Sequence, residues 1–391
     1  MVFKNFFSNT ITLKHPLHIL FLAHWYPSRV HTTAGNFVQR HAETVATKHR
    51  VTVVFAISDK TLTKPYEIAE NIIAGVNTII VYFSPGKHKI TNAFKKIKAY
   101  RLGLNRVSAF DVIHLNVLHY YGVIALYYKL RKNIPYVITE HWTLWNDDSI
   151  SQKEQFVAKL VARRASILLP VCSFLGNNMR IVGNNIPQQT IPNVFDPQIF
   201  HLKAKEKSEK FIFLHISSLL DNHKNISGIL KVSRRLALEN DCFELHIGGD
   251  GDINQILQFR EKNHLENVIK TFGQLTPNEV AQKMTSSDTF ILFSNKENQP
   301  CVINEAFACG LPVIATKVGG ITEFFPGEFG ILIDKEDENS LYLAMKKCLS
   351  GTQFAPSQFI ADYALEHFGT NAIAEAFDKV YSSAIAAKKQ E

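Results

Sequence analysis

Twelve short apolar, β-branched runs alternate with helix-length amphipathic stretches, and this alternation restricts the fold more than any other feature of the chain. Six runs lie in the first half: His18–Ala23, Val51–Ile57, Ile79–Phe83, Val112–Leu115, Tyr136–Thr139 and Ile167–Val171. Six more follow at Phe211–Ile216, Glu244–Ile247, Val268–Phe272, Phe290–Phe293, Val313–Thr316 and Gly330–Ile333. Strands separated by helices pair in parallel, so the pattern predicts two doubly wound α/β domains. At 391 residues the chain also exceeds what one hydrophobic core usually supports. The polar stretch His201–Lys210 suits a linker, which gives domains over 1–200 and 201–370, followed by a helical segment over 371–391. Ligands of doubly wound sheets sit beyond the carboxyl ends of the strands, so function is expected there, in a cleft enclosed by two facing domains.

Charge is distributed unevenly. Residues 1–200 carry 23 Lys/Arg against 10 Asp/Glu, net +13, whereas the rest is net −5. A basic half suggests an anionic partner, either a membrane surface or nucleic acid. Apolar residues at 46% and charged residues at 20% fit an ordinary globular protein and exclude disordered, collagen-like and fibrous classes. Cys172, Cys242, Cys301, Cys309 and Cys348 form no Cys-x-x-Cys pair and are odd in number, which points to a reducing, cytoplasmic setting. No apolar run reaches the 18 or so residues of a membrane span, and the start lacks a signal-peptide cleavage site.

The most informative segment is FSNKENQPCVINEAFACGLPVIATKVGGITE, residues 293–323. It reads as strand, loop, helix, strand, with Asn298 or Gln299 as helix cap, Pro300 in the first turn, Gly310 as left-handed stop and Pro312 barring continuation. Glu297 precedes the helix and Glu305 lies inside it. Eight residues of helix rise roughly 12 Å, more than the separation of roughly 5–9.5 Å at which two glycosidase carboxylates work on one bond. Two contacts on one elongated ligand, with the free N–H groups of the helix start binding an anion between them, is the better use. A nucleotide sugar has that layout.

Two glutamates separated by seven residues, then AFACGLPVIAT and VGGITE, resemble the signature of the retaining glycosyltransferases of family four (glycosyl transferases group 1), which have the GT-B fold. The resemblance extends over nearly the whole chain and implies a role for each matching position. Glu297 would contact donor-sugar hydroxyls, and Glu305 would hold the ribose. Asn298, Gln299, Cys301 and Val302 would line the donor, although Pro300 removes one backbone donor the family commonly has there. Lys224, in LHISSLLDNHKN, would neutralise the departing diphosphate. Ser217 or Ser218 stands where the family commonly has an arginine, so Ser218 becomes a donor contact. Gly249, in HIGGDGD, would form a tight turn beneath the nucleotide. On the acceptor side the resemblance implies Gly35 and Asn36 in a glycine-containing loop, His141 near the donor sugar with a catalytic role, and His114 beside it. Asn193 and Asp196 are read as turn-forming. The terminal helix would cross back onto the first domain. No essential metal and no cofactor are implied, the nucleotide sugar being a substrate, UDP-linked in preference to GDP-linked.

GKHKITNAFKKIKAYRLGLNRV, residues 86–107, carries seven positive charges from Lys87 to Arg106 without one acid, together with Ile90, Phe94, Ile97 and Leu104 near a helical stripe. Such a helix can lie on an anionic leaflet, each surface cation contributing roughly 1 kcal/mol. The expectation is therefore a cytoplasmic enzyme, peripheral on the inner membrane face, that transfers a sugar to a saccharide or lipid-linked acceptor in polysaccharide or glycolipid biosynthesis. A sugar-nucleotide epimerase on the same fold, a phosphorylase and a nucleic-acid-binding protein are the alternatives. The last would need a recognition helix or aromatic stacking motifs, and none stands out.

Overall fold

The computed structural model describes residues 16–146, 150–183, 185–205 and 208–388. The chain divides into two compact units, Met1–Pro192 with Ile373–Glu391, and Asn193–Ala372. Phe195 and Phe200 are buried in the core of the second unit. That unit therefore begins ahead of His201–Lys210, whose described residues form one of its surface segments and do not connect the two units.

Each of the twelve apolar runs forms a strand. In the first unit these are β1 (His18–Ala23), β2 (Arg50–Ser58), β4 (Val76–Phe83), β5 (Val112–Asn116), β6 (Tyr136–Glu140) and β7 (Ile167–Pro170), joined by β3 (Tyr66–Ile73). The order is β3-β4-β2-β1-β5-β6-β7. Helices on both faces bury β1, β5 and β6 along their whole length, which is why these strands read as unbroken apolar runs. β3 is the exception: it runs antiparallel to β4 at the sheet edge and is largely exposed. Its sequence YEIAENII mixes charges into the strand, as edge strands do, and its hairpin turns through Ala74 and Gly75, both at positive φ. Sequence reading passed over it because it lacks a buried face.

The second unit holds β8 (Phe211–Ser217), β9 (Phe243–Gly249), β10 (Ile269–Phe272), β11 (Thr289–Leu292), β12 (Val313–Thr316) and β13 (Gly330–Ile333), in the order β10-β9-β8-β11-β12-β13. Every pairing in this sheet is parallel. In both sheets the chain builds outward in opposite directions from a central pair, β1/β5 in one and β8/β11 in the other. Connections leave such a pair to opposite faces of the sheet, and a crevice opens beyond its carboxyl ends.

His114, on β5, is fully buried between the hydroxyls of Tyr381 and Thr139, so it joins the first sheet to the terminal helix segment within one unit. Burial holds its imidazole well below the usual histidine range, and it holds His41 and His215 down to about 4. The unfolded chain protonates these rings near 6.5 and the folded chain does not, so stability falls as pH drops below about 6.5. Urea midpoints measured from pH 7.5 to 5 are expected to decline. In His114→Gln the slope should shrink by up to one proton, about 1.4 kcal/mol per pH unit. An unchanged slope would refute this role for His114.

Candidate functional site

In the second unit the candidate residues gather at the β8/β11 crevice. β11 pairs with β8 only through Thr289 and Phe290, so the last residues of β8 stand apart from it. His215 spans part of the opening. Its Nδ1 lies 2.8 Å from the Ile291 carbonyl and its Nε2 lies 2.8 Å from Ser217 Oγ. A carbonyl can only accept, so Nδ1 carries the proton and Nε2 accepts from the serine. Beyond β8 the helical turn Asp221–Lys224 presents Lys224, and beyond β11 the loop presents Glu297. The Asn295 N–H donates to the His223 carbonyl at 2.7 Å, tying the two loops together.

Lys224 Nζ pairs with Glu297 Oε1, which also accepts from Ser294 Oγ at 2.8 Å. Glu297 and Glu305 are 8% and 6% exposed, so neither is a solvated surface charge. Glu305 lies within the helix Cys301–Ala308. The neighbouring Cys309 thiol is pushed up to about 12, first by burial and then by the Glu305 charge, and so is not a nucleophile at neutral pH.

The loop between Glu297 and the helix is held in three ways. The Gly320 N–H donates to the Asn298 carbonyl at 2.8 Å. Gly319, at φ +58, passes so close that a Cβ there would lie 1.9 Å from the Glu297 carbonyl oxygen. Gln299 is consumed in a buried amide network: its Oε1 accepts from Asn193 N at 2.9 Å, and its Nε2 donates to Asn304 Oδ1 at 2.8 Å. Asn304 Nδ2 in turn donates to the Asn193 carbonyl at 2.8 Å. This corrects two expectations. Gln299 fastens the loop instead of facing a donor, and the helix cap is Pro300, without a side-chain bond, in place of Asn298 or Gln299. Cys301 and Val302 occupy the first turn, half-buried.

Gly249 belongs to a glycine turn that lies directly against β8. A Cβ on Gly249 would meet the Ser217 carbonyl oxygen at 1.7 Å, and one on Gly251 would meet that of Ser218 at 2.1 Å. Ser218 is half-buried at the end of this strand.

In the first unit Gly35, at φ +78, starts the helix Asn36–Ala46. A Cβ there would be 2.5 Å from the Trp25 carbonyl carbon, so only glycine lets this loop lie on the turn after β1. Asn36 is exposed beside it. His141 directly follows β6, and its ring lies tilted against those of Phe37 and His41, with centroids 4.4 and 5.4 Å away, so the fold brings it beside the glycine loop. His114 is not brought there. It lies wholly inside the sheet core with both ring nitrogens engaged, which corrects its assignment as an acceptor contact.

Sequence reading also missed Glu140, a fully buried carboxylate. Its Oε1 accepts from the backbone N–H groups of His141 and Trp142, and its Oε2 accepts from that of Leu118, each at 2.8 Å. Burial raises its pKa, against the opposing effect of those N–H groups. Val117, beside Leu118, sits at φ +72, a strained position for a β-branched residue. One carboxylate thus locks the turns after β5 and β6 together. The signal available in the sequence was an acid at the end of an apolar strand.

Two family models together match residues 34–373: Glycosyltransferase Family 4 over 34–199 and Glycosyl transferases group 1 over 198–373. The chain belongs to the glycosyltransferases. Among relatives, N-acetyl-alpha-D-glucosaminyl L-malate synthase of Bacillus anthracis is 28% identical over 244 residues, 58% of this chain and 62% of that protein. A human phosphatidylinositol N-acetylglucosaminyltransferase subunit is 25% identical over 264 residues, 66% of this chain and 54% of its own length. The matched region thus spans less than two thirds of either relative. Among solved structures, sucrose-phosphate synthase from Thermosynechococcus elongatus superposes with a TM-score of 0.78 at 18% identity, covering 95% of this glycosyltransferase and 100% of that chain. HepE of Anabaena, solved with UDP and glucose, gives 0.72 at 20% identity, covering 94% and 100%. At these identities the structures establish the shared fold, two Rossmann-like units of the GT-B type.

Glu140→Gln tests the lock in this glycosyltransferase. The amide keeps one acceptor oxygen but presents an NH2 to the Leu118 N–H, so urea unfolding should show a loss of about 1–3 kcal/mol. A loss below 0.5 kcal/mol, by order of magnitude, would mean that the three bonds carry no net stability.

Proposed function

We propose that this glycosyltransferase moves a sugar from a nucleoside diphosphate donor, UDP-linked in preference to GDP-linked, to a hydroxyl of a saccharide or lipid-linked acceptor, with retention at the anomeric carbon. The observation that carries the reading is the pairing of half-buried Lys224 with buried Glu297, which Ser294 also holds, at the β8/β11 crevice. A low-exposure ammonium paired with the glutamate of the loop that leads into the helix Cys301–Ala308 is suited to a diphosphate, whose charge grows as the sugar leaves. In this reading Lys224 and the first-turn N–H groups of that helix supply the electrostatic stabilisation and no metal ion is required. Glu297 orients donor-sugar hydroxyls and Glu305 holds the ribose. The bond from the anomeric carbon to the diphosphate breaks, the acceptor oxygen bonds to the same face, and its proton passes to a diphosphate oxygen. His141 lies on the acceptor side. UDP is favoured because HepE was solved with UDP and glucose. A role in glycolipid synthesis is favoured by the human relative, which acts on phosphatidylinositol; a saccharide acceptor would place the enzyme in polysaccharide synthesis.

A thermal-shift series with UDP, GDP, ADP and their sugar conjugates tests donor choice. A ligand at 100 times its Kd adds about 2.7 kcal/mol, so UDP should raise the midpoint clearly and ADP should not. Replacing one member of a buried ion pair by alanine costs about 3–5 kcal/mol, so the isosteric Glu297→Gln is the cleaner probe. It should retain the UDP shift and lose UDP release from the donor sugar by about 100-fold or more, about 2.7 kcal/mol. Unaltered turnover would remove Glu297 from the reaction.

We further propose that the basic helix Lys89–Leu104 rests on an anionic leaflet from the cytoplasmic side. It packs on the sheet through Ala99, Tyr100 and Gly103 and leaves Ile90 and Phe94 71% and 69% exposed, with Ile97 also exposed. Lys95 donates to the Ser84 carbonyl and Lys96 is half-buried, so the cations exposed to face lipid are Lys87, Lys89 and Arg101, with Lys98 exposed over the Tyr66 ring. Among the described residues no helix is long and apolar enough to cross a membrane. Phe94→Ser with Lys87→Glu and Lys89→Glu should abolish co-sedimentation with phosphatidylglycerol vesicles. Undiminished co-sedimentation would refute the proposal.

A further inference from the structure

The β1/β5 crevice of the first unit carries a second set of groups that the donor chemistry does not use. His24 follows β1 and His119 follows β5, and their rings stack with centroids 4.2 Å apart. Nδ1 of each is buried without a hydrogen-bond partner. Lys96 reaches in from the basic helix, with Nζ 4.7 Å from the centre of the Tyr121 ring, which itself stacks 5.5 Å from His119. Among the described residues no carboxylate is paired with Lys96. Glu154, the acid that acts on His119, is tied into the helix cap at Ser151. Burial lowers Lys96 to about 8, and burial followed by the Lys96 charge brings His24 to about 2 and His119 to about 4. A half-buried cation beside two proton-starved imidazoles lacks a counter-charge. Trp142, 5.8 Å from His119, adds an aromatic face of the kind on which a sugar ring can rest.

We propose that this crevice binds a phosphate group carried by the acceptor, with Lys96, His24 and His119 as its ligands and Trp142 against the adjoining polyhydroxylated ring. A phosphate supplies the missing negative charge and accepts hydrogen bonds from several directions at once, which suits donors drawn from a helix and two strand-end loops. The inference rests on the transferase reading, because it names a chemical feature of that enzyme's acceptor.

Calorimetry on the full chain, with UDP saturating the second unit, compares glucose 6-phosphate, inorganic phosphate and glucose as probes. Glucose 6-phosphate should bind at least tenfold more tightly than glucose, and both Lys96→Gln and His24→Gln should erase that preference while keeping the UDP thermal shift of the unaltered protein. Equal binding of the two sugars, or a preference that survives both substitutions, overturns the inference while leaving the donor reading intact. Absence of a UDP shift in the unaltered protein counts against the donor reading instead. Competition by phosphatidylglycerol vesicles would place the phosphate on a lipid, and its absence would place it on a soluble acceptor.

Discussion

The ion pair between Lys224 and Glu297 is the interaction around which the second unit is organised. A half-buried ammonium and a buried carboxylate are each costly alone, so each requires the other to be in place. That requirement sets the loops after β8 and β11 in fixed relation. Everything nearby serves the same end: the Asn295–His223 backbone bond, the Ser294 hydroxyl on the carboxylate, and glycines at 319 and 320 pressed against the Glu297 loop. The amide network of Asn193, Gln299 and Asn304 anchors the far end of that loop. In the proposed function a pair held this way is preorganised for a diphosphate, and preorganised charge is what stabilises a departing anion most effectively.

The first unit solves a similar problem with one residue. Glu140 accepts three backbone N–H groups from two strand ends, and the adjoining Val117 is held in a conformation that a valine does not adopt by choice. Strain of about 1–3 kcal/mol persists only where the surroundings overdetermine it. The turns that it shapes carry His119, His141 and Trp142, the groups nearest the crevice of that sheet.

Much of this was legible in the residues. Parallel strands buried on both faces must be continuous apolar runs, so twelve of thirteen could be placed, and only the edge strand Tyr66–Ile73, which has no buried face, escaped notice. Glu297, Glu305 and Lys224 could be singled out because the motif around them has few other uses, and the fold buries both glutamates and pairs Glu297 with Lys224. Gln299 and His114 were placed in contact with ligands and proved to be internal fasteners. A polar side chain looks the same in a sequence whether its partner is a substrate or another amide a hundred residues away.

The local order of strand, loop and helix, and with it the two doubly wound sheets and the strand ends where chemistry must lie, was determined by the sequence alone, because hydrophobic periodicity and turn chemistry act over a few residues. Which polar groups meet was decided only by the tertiary structure. Lys224 and Glu297 are 73 residues apart, His24 and His119 are 95 apart, and Asn193 and Asn304 are 111 apart. Pairings over such distances are chosen by how the strands are ordered in the sheet and by the cost of leaving a buried charge or amide unmatched.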